Sequence, residues 1–421
     1  MATGAFATCD VLAACPVVQE IIHDVNGDYA DDATWVLTSS FVILTMQSGF
    51  GMLEMGCSHR GHEVNIMLKN VFDVIFGGLA YYMLGFGISH GSPSNSFMGL
   101  GDFLVDSNQN DQTLSGLRFS SYIFQFSFAA TSTTIVSGCL AMRCRFMVYC
   151  FYSFYSVVMY AFVAHWVWAE NGWLKEFGAH DFAGSGPVHM FGAINGFIGI
   201  VCLGPRLGRF DGSRPGQEFH ASSPASILFG LFMLWWGCLV KKMMHDDVIL
   251  EKRNPEEIAN GILGALVSIT ATCVHPFEAL VIGFVGSIIA LLTNDLVEFR
   301  LRIDDPVGAI GVHGSAAMWG ILAVGLFADT ALPGIQVDNG LLRGGGLRLM
   351  GAQLVLMLAI LGWSLVVVTP FFLLVGIAFS GDWRDFRRGL RVDPEHEISG
   401  LDQAYHGFLA SIAGVQTAAL F

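Results

Sequence analysis

Two histidines and two aspartates in this chain share a spacing that can do chemistry. Asp181 stands eight residues before His189 in DFAGSGPVH, and Asp305 stands eight residues before His313 in DDPVGAIGVH. Each stretch contains glycine and leads into an apolar run. That matching context, more than the spacing, marks the two as copies of an internal repeat of the inverted-topology kind. Repeat symmetry brings the two imidazoles together near a membrane midplane, where they can exchange hydrogen bonds or a proton. Two unrelated core histidines would instead bond backbone carbonyls. Asp181 and Asp305 sit where a carboxylate caps the free N–H groups of a helix start and meets its positive end. Asp181 can also orient neighbouring groups.

Other side chains invite weaker readings. Phe128 and Trp168 lie near the same ends of two apolar runs. Their faces attract a small cation by roughly 0.5–2 kcal/mol, or they belong to an ordinary interfacial belt. Glu54 in QSGFGMLEMG, with Lys69, Asn70 and Asp73 in MLKNVFD, is explained by snorkelling or by mutual pairing. No grouping of Cys, His and carboxylates reads as a metal cluster, and no triad can be assembled. Neither metal nor cofactor nor enzymatic activity is expected.

The elements that must hold these groups are helices in lipid. Of 421 residues, 53% are hydrophobic and only 13% charged, with a mean hydropathy of +0.56. A soluble domain carries about a quarter charged residues. The apolar residues fall in long runs, so the fold class is an all-α polytopic membrane protein. Fifty glycines suit helices that approach closely in lipid. The net charge of −14 argues against nucleic acid. The N-terminus lacks a basic segment and Asp10 interrupts its apolar stretch, so no cleavable signal is expected. Cys9 and Cys15 can pair if that end is extracellular. Most other cysteines read as small buried hydrophobes.

Spans of about 20 apolar residues are expected at 33–56, 66–89, 119–141, 146–169, 187–205, 225–242, 258–274, 276–298, 306–328 and 349–379. Lys and Arg mark cytoplasmic loops. Arg143, Arg145, Arg206, Arg209 and Arg214 therefore place the N-terminus outside. Continuing the ten-span count puts Lys241, Lys242, Lys252, Arg253, Arg300, Arg302 and the tail arginines 384, 387, 388 and 391 outside as well. One extra span near residue 240 would correct every later loop. The repeat agrees, because four spans precede His189 in the first half and only three precede His313 in the second.

With these residues in place the chain resembles a known family. DDATWVLTSSFVILTMQSGFGMLEMG, NIMLKNVFDVIFGG, FQFSFAATSTTIVSG, AHWVW, DFAGSGPVHM, IDDPVGAIGVHG and LRVDPEHEISGLDQAYHG are similar, in order, to motifs of the ammonium transporter (Amt/MEP/Rh) family. The likeness is to the Amt branch and covers about residues 30 to 410. It implies an inverted-repeat fold of eleven helices per subunit, about ten of them identifiable here. It also implies homotrimers in the plasma membrane, with ammonium or ammonia as the moving species and methylammonium as a further substrate. Residues 1–32 become an extracellular segment, 33–379 the transmembrane domain and 380–421 a cytoplasmic tail. By this resemblance Phe128, Trp168 and Asp181 form the ammonium recruitment site, His189 and His313 line the pore, and Asp305 is a structural helix cap. Lipid is the remaining partner.

The departure lies at LWWGCLVKKMMHDD. Family members continue past the equivalent of Trp235-Trp236-Gly237 into a Trp-x-Gly-Phe-Asn-x-Gly-Ser segment and a further helix. This chain runs straight to Lys241. The alternative to transport is therefore a non-transporting member: an ammonium sensor, a regulatory subunit or a deletion product lacking one helix.

Overall fold

The structure is a computed structural model of the chain and describes residues 16–106, 112–212, 219–238, 255–272, 274–332 and 337–407. Among the described residues there is no β-strand beyond two isolated bridges. Each of the ten expected runs contains a helix among the described residues. They are α1 (Pro16–Cys57), α2 (Glu63–His90), α3 (Gln112–Cys139), α4 (Phe146–Trp168), α5 (Ser185–Leu203), α6 (Pro224–Cys238), α7 (Pro255–Ile269), α8 (Pro276–Arg300), α9 (Ile310–Phe327) and α10 (Arg348–Ser380). Seven stretches among the described residues are long and apolar enough to cross a membrane. The helix starts follow local rules. Pro276 opens α8 behind His275, whose N–H is taken by Glu278 at 2.9 Å in a capping box. Ser223 accepts the Ser226 N–H ahead of α6.

Ion pairs define two ends of the bundle. At one end the His59 ring meets the Arg206 guanidinium at 3.1 Å, Arg209 pairs with Glu298, and Arg391 donates to the Pro205 carbonyl at 2.7 Å. Asp304 joins the loops here: it accepts the Arg206 main-chain N–H at 2.7 Å and the Arg206 side chain at 2.6 and 2.8 Å, and Arg143 lies 3.8 Å away. The tail folds back onto the same end, where the Asp402 carboxylate caps α2 by accepting Val64 N–H at 3.0 Å and Asn65 N–H at 2.8 Å. At the opposite end the Trp168 indole donates to the Asp181 carbonyl at 2.8 Å, and Arg343 pairs with Glu278.

The direction of α6 and α7 decides the parity problem. α6 starts at the Arg206 end, where Ser222 N–H donates to the Ser58 carbonyl at 2.7 Å. It then climbs antiparallel to α1. Contact is so close that a Cβ on Gly56 would meet Ile227 N at 2.7 Å, and one on Gly230 would meet Leu53 N at 2.5 Å. α7 also ends at the Trp168 end, where the Thr270 carbonyl accepts Ala183 N–H at 2.9 Å. Both helices thus run the same way, and among the described residues no returning crossing stands between them. Residues 239–254 are fewer than the ~20 that a return helix needs.

This corrects the simple ten-span alternation, which sets Arg300, Arg302 and Arg391 opposite Arg206. The structure gathers them at one end, as the charge rule requires. Lys241, Lys242, Lys252 and Arg253, and the proposed Cys9–Cys15 pairing, lie outside the described residues. A single cysteine at exposed Glu257 is expected to react with an impermeant thiol reagent from the same side as one at Arg302, and from the opposite side to one at Lys175. Labelling of Glu257 together with Lys175 would restore the alternating ten-span count.

Candidate functional site

α5 and α9 carry the two repeat motifs in opposite directions, and both begin with a π-helical turn, Ser185–Met190 and Ile310–Ser315. Such turns widen the backbone locally and re-aim side chains. Each is prepared by its aspartate. One Asp181 oxygen accepts Gly184 N–H at 2.6 Å and Ser185 N–H at 3.2 Å, and the other accepts Gly186 N–H at 2.6 Å. Asp305 accepts Ile310 N–H at 2.8 Å and Val307 N–H at 3.4 Å. Outside the helices, burial pushes the Asp305 carboxyl up from its usual range, and its backbone donors pull against that.

His189 and His313, eight residues beyond each aspartate, meet in the middle. Their Nδ1 atoms are 3.1 Å apart, and the rings stack at 5.1 Å with 8° between planes. One nitrogen of such a pair must donate while the other accepts, so the two tautomers are coupled. Both rings are buried, and Phe50 of α1 lies 6.0 Å from His313, ring centre to ring centre. His165 shows the contrasting case, with its two ring nitrogens 3.0 and 2.7 Å from the carbonyls of Ser89 and Asn95.

Phe128 of α3 and Trp168 of α4 form a tilted pair at 5.8 Å on the Asp181 side of the histidines. The indole N–H is spent on the Asp181 carbonyl, which ties the aromatic pair to the capping loop of α5. Ser185 is held in turn by the Thr270 hydroxyl at 2.6 Å and the Val267 carbonyl at 2.8 Å of the α7 end. The Phe128–Trp168 pair is thus tied through Asp181 to the turn that carries His189, and His189 meets His313. Asp305 lies beyond them at the Arg206 end.

The charged residues of α1 and α2 depart from the sequence expectation. Snorkelling fails, because Glu54, Lys69 and Asp73 are at most 2% exposed. Mutual pairing holds only for Glu54 and Asn70, at 2.8 Å. Lys69 donates to the Cys144 carbonyl at 3.2 Å, and Asp73 accepts from the Tyr149 hydroxyl at 2.7 Å and Thr134 at 3.2 Å. Sequence reasoning also missed Phe50 and Asn260, which line a small space beside His313 from α1 and α7. A phenylalanine or asparagine inside an apolar run carries no signal of its own. Among the described residues no group of three or more potential metal ligands is assembled.

Fold and geometry define a multi-pass, all-helical membrane protein made of two inverted halves. The profile of the Ammonium Transporter Family matches residues 34–240 and 239–410, two pieces that meet between α6 and α7. A Caenorhabditis elegans protein named putative ammonium transporter 3 is 37% identical over 92% of this chain, which spans only 61% of that relative's length. The Arabidopsis thaliana putative ammonium transporter 1 member 5 is 34% identical over 92% of this chain and 87% of its own. Among solved structures, a Sensor Amt Protein matches with a TM-score of 0.76 at 27% identity, covering 90% of this chain and 98% of that one. Candida albicans Mep2, at 22% identity and a TM-score of 0.73 over 87% of each chain, shares the fold. The chain belongs to the ammonium transporter family, which is a family of transporters and not of enzymes.

Proposed function

We propose that this chain moves ammonium across the plasma membrane as a homotrimer. In this reading the Phe128–Trp168 pair recruits NH4+ at the outer end, and Asp181 holds the site in shape. NH3 or NH4+ then passes the His189–His313 pair. The N-terminus is outside, and the tail from residue 380 is cytoplasmic, on the side where the arginines collect. Physical chemistry favours this order. An aromatic face binds a small cation as water is stripped away. A bare charge crosses an apolar passage only at great cost. Paired imidazoles offer the hydrogen bonds that the passage otherwise lacks.

The observation that carries the reading is the 3.1 Å Nδ1–Nδ1 contact, tied to the aromatic pair through the Asp181-capped turn. Uptake of radiolabelled methylammonium in a cell lacking its own transporters tests it. The wild-type chain is expected to take up label, and Trp168→Ala to weaken apparent affinity roughly 2- to 30-fold, the worth of a cation–π contact. No uptake despite trimers at the surface would sink the transport reading. It would favour the second one, a sensor, regulatory subunit or deletion product. That alternative draws on the missing crossing and on the likeness to a protein named as a sensor.

A further inference from the structure

A water-sized space adjoins the histidine pair on its Arg206 side. It is lined by His313, Glu54, Asn260 and Phe50 together with aliphatic side chains, and about 20 Å³ of it is open to the centre of a water-sized sphere. One water needs about 10–15 Å³ by that measure and two or more polar partners. His313, Glu54 and Asn260 supply them. His313 commits Nδ1 to His189, which leaves Nε2 as the nitrogen able to meet such a water.

The surroundings of Glu54 make it an unusual neighbour. Its carboxylate accepts hydrogen bonds from Asn70 and Ser137, both neutral. The charged and titratable groups packed around it are Cys57 of α1, Lys69 and Asp73 of α2, Cys139 of α3 and Tyr149 of α4. Lys69, the one cation among these, is turned to the Cys144 carbonyl, and Asp73 is engaged by Tyr149 and Thr134. An ionised carboxylate in a dry site is costly without a cation, and so is an imidazolium inside an apolar passage. Each is the natural remedy for the other.

Resting on the reading that the histidines line a conduction path, we infer that Glu54 is their proton-exchange partner. The Glu54 carboxyl gives its proton to a water in this space, and that water gives one of its own to His313 Nε2. One O–H bond breaks at Glu54 and one N–H bond forms at His313. The product is a carboxylate facing an imidazolium, with no change in net charge, and the reverse step restores the neutral acid and ring. The histidine pair thereby gains and loses a proton without importing a charge through the apolar wall.

The test uses the full chain reconstituted in lipid vesicles. Infrared titration is expected to show a protonated-carboxyl band in the wild type that is absent in Glu54→Gln and present in Glu54→Asp. In His313→Gln its midpoint is expected to move by about one pH unit. Ammonium-driven current is expected to fall about tenfold or more in Glu54→Gln. A band that persists in Glu54→Gln, a midpoint that ignores His313→Gln, or an undiminished current would each overturn the inference. If Glu54→Gln yields no folded protein, the midpoint shift in His313→Gln decides alone. A wild-type chain that moves no methylammonium sinks the transport reading, and the infrared result still decides the role of Glu54.

Discussion

Asp181→Ala is expected to abolish methylammonium uptake, a loss on the order of 100-fold or more, while the protein still reaches the membrane. The carboxylate takes three successive N–H groups, from Gly184, Ser185 and Gly186. Each such bond to a charged acceptor is worth about 1.5–3 kcal/mol. All three lie in the turn that launches α5, and the same residue's carbonyl anchors the Trp168 indole. Losing the carboxylate leaves buried donors unsatisfied and frees the π-turn that aims His189. The aromatic pair and the histidine pair then lose their common reference. Asp181→Asn keeps one acceptor oxygen and is expected to fall between. The measurement is uptake normalised to surface protein, with melting temperature recorded alongside. Undiminished transport by Asp181→Ala at normal surface levels would remove this residue from the site.

Asp304→Ala is expected to have the largest effect on stability. The side chain is 2% exposed and is shared by Arg206 and Arg143, with Arg209 at 3.8 Å. Removing one partner from a buried ion pair costs about 3–5 kcal/mol, a large part of the ~5–15 kcal/mol that holds a typical domain. Little folded protein should be recovered in detergent. The same end of the bundle gives the chain its pH dependence. Burial alone would raise the Asp304 carboxyl, but Arg206 and Arg143 outweigh it and hold the group well below the usual range. Its stabilisation is full above the unfolded value of about 3.9 and is lost as pH falls through the folded one. His59 acts earlier. Burial first, and Arg206 second, pull its imidazole down to about 4, and burial takes His62 to about 3. Neutral in the fold but free to charge when unfolded, both contribute fully above about pH 6.5 and lose that contribution on the way down. Melting temperature should therefore drop between roughly pH 6.5 and 4. A flat profile over that range would refute the assignment.

Much of this was legible in the residues themselves. Apolar runs of the right length named each of the ten long helices, because length and hydropathy are local properties. The Asp-x7-His copies paired the histidines across 124 positions, because internal symmetry reports on distant neighbours without an explicit contact. Direction was harder. The run at 225–242 has the length of a full crossing, and only the seating of Ile227 on Gly56 and of Gly230 on Leu53, together with the heading of α7, shows that α6 and α7 run the same way with no return among the described residues. Charge parity had already located the fault at residue 240, which shows how much a global count can recover. Asp304 could not be found this way. It sits beside Asp305 in a doubled acid, and nothing local distinguishes the residue that starts a helix from the one that binds three arginines on two loops. Glu54 pairs with Asn70 as the sequence allowed, but the space it shares with His313 was not legible, since His313 arrives from the far half of the chain.

The paired π-turns have a consequence for direction. Each histidine reaches the centre from its own end, by the same turn, eight residues after an aspartate that bonds the same stretch of backbone. Seen from either face, the middle of the molecule is nearly its own image. A symmetric barrier cannot rectify, so under the proposed transport reading the histidine pair itself prefers neither influx nor efflux. Any inequality between the two must be written at the unlike ends, aromatic rings on one side and an acid beside a water-sized space on the other.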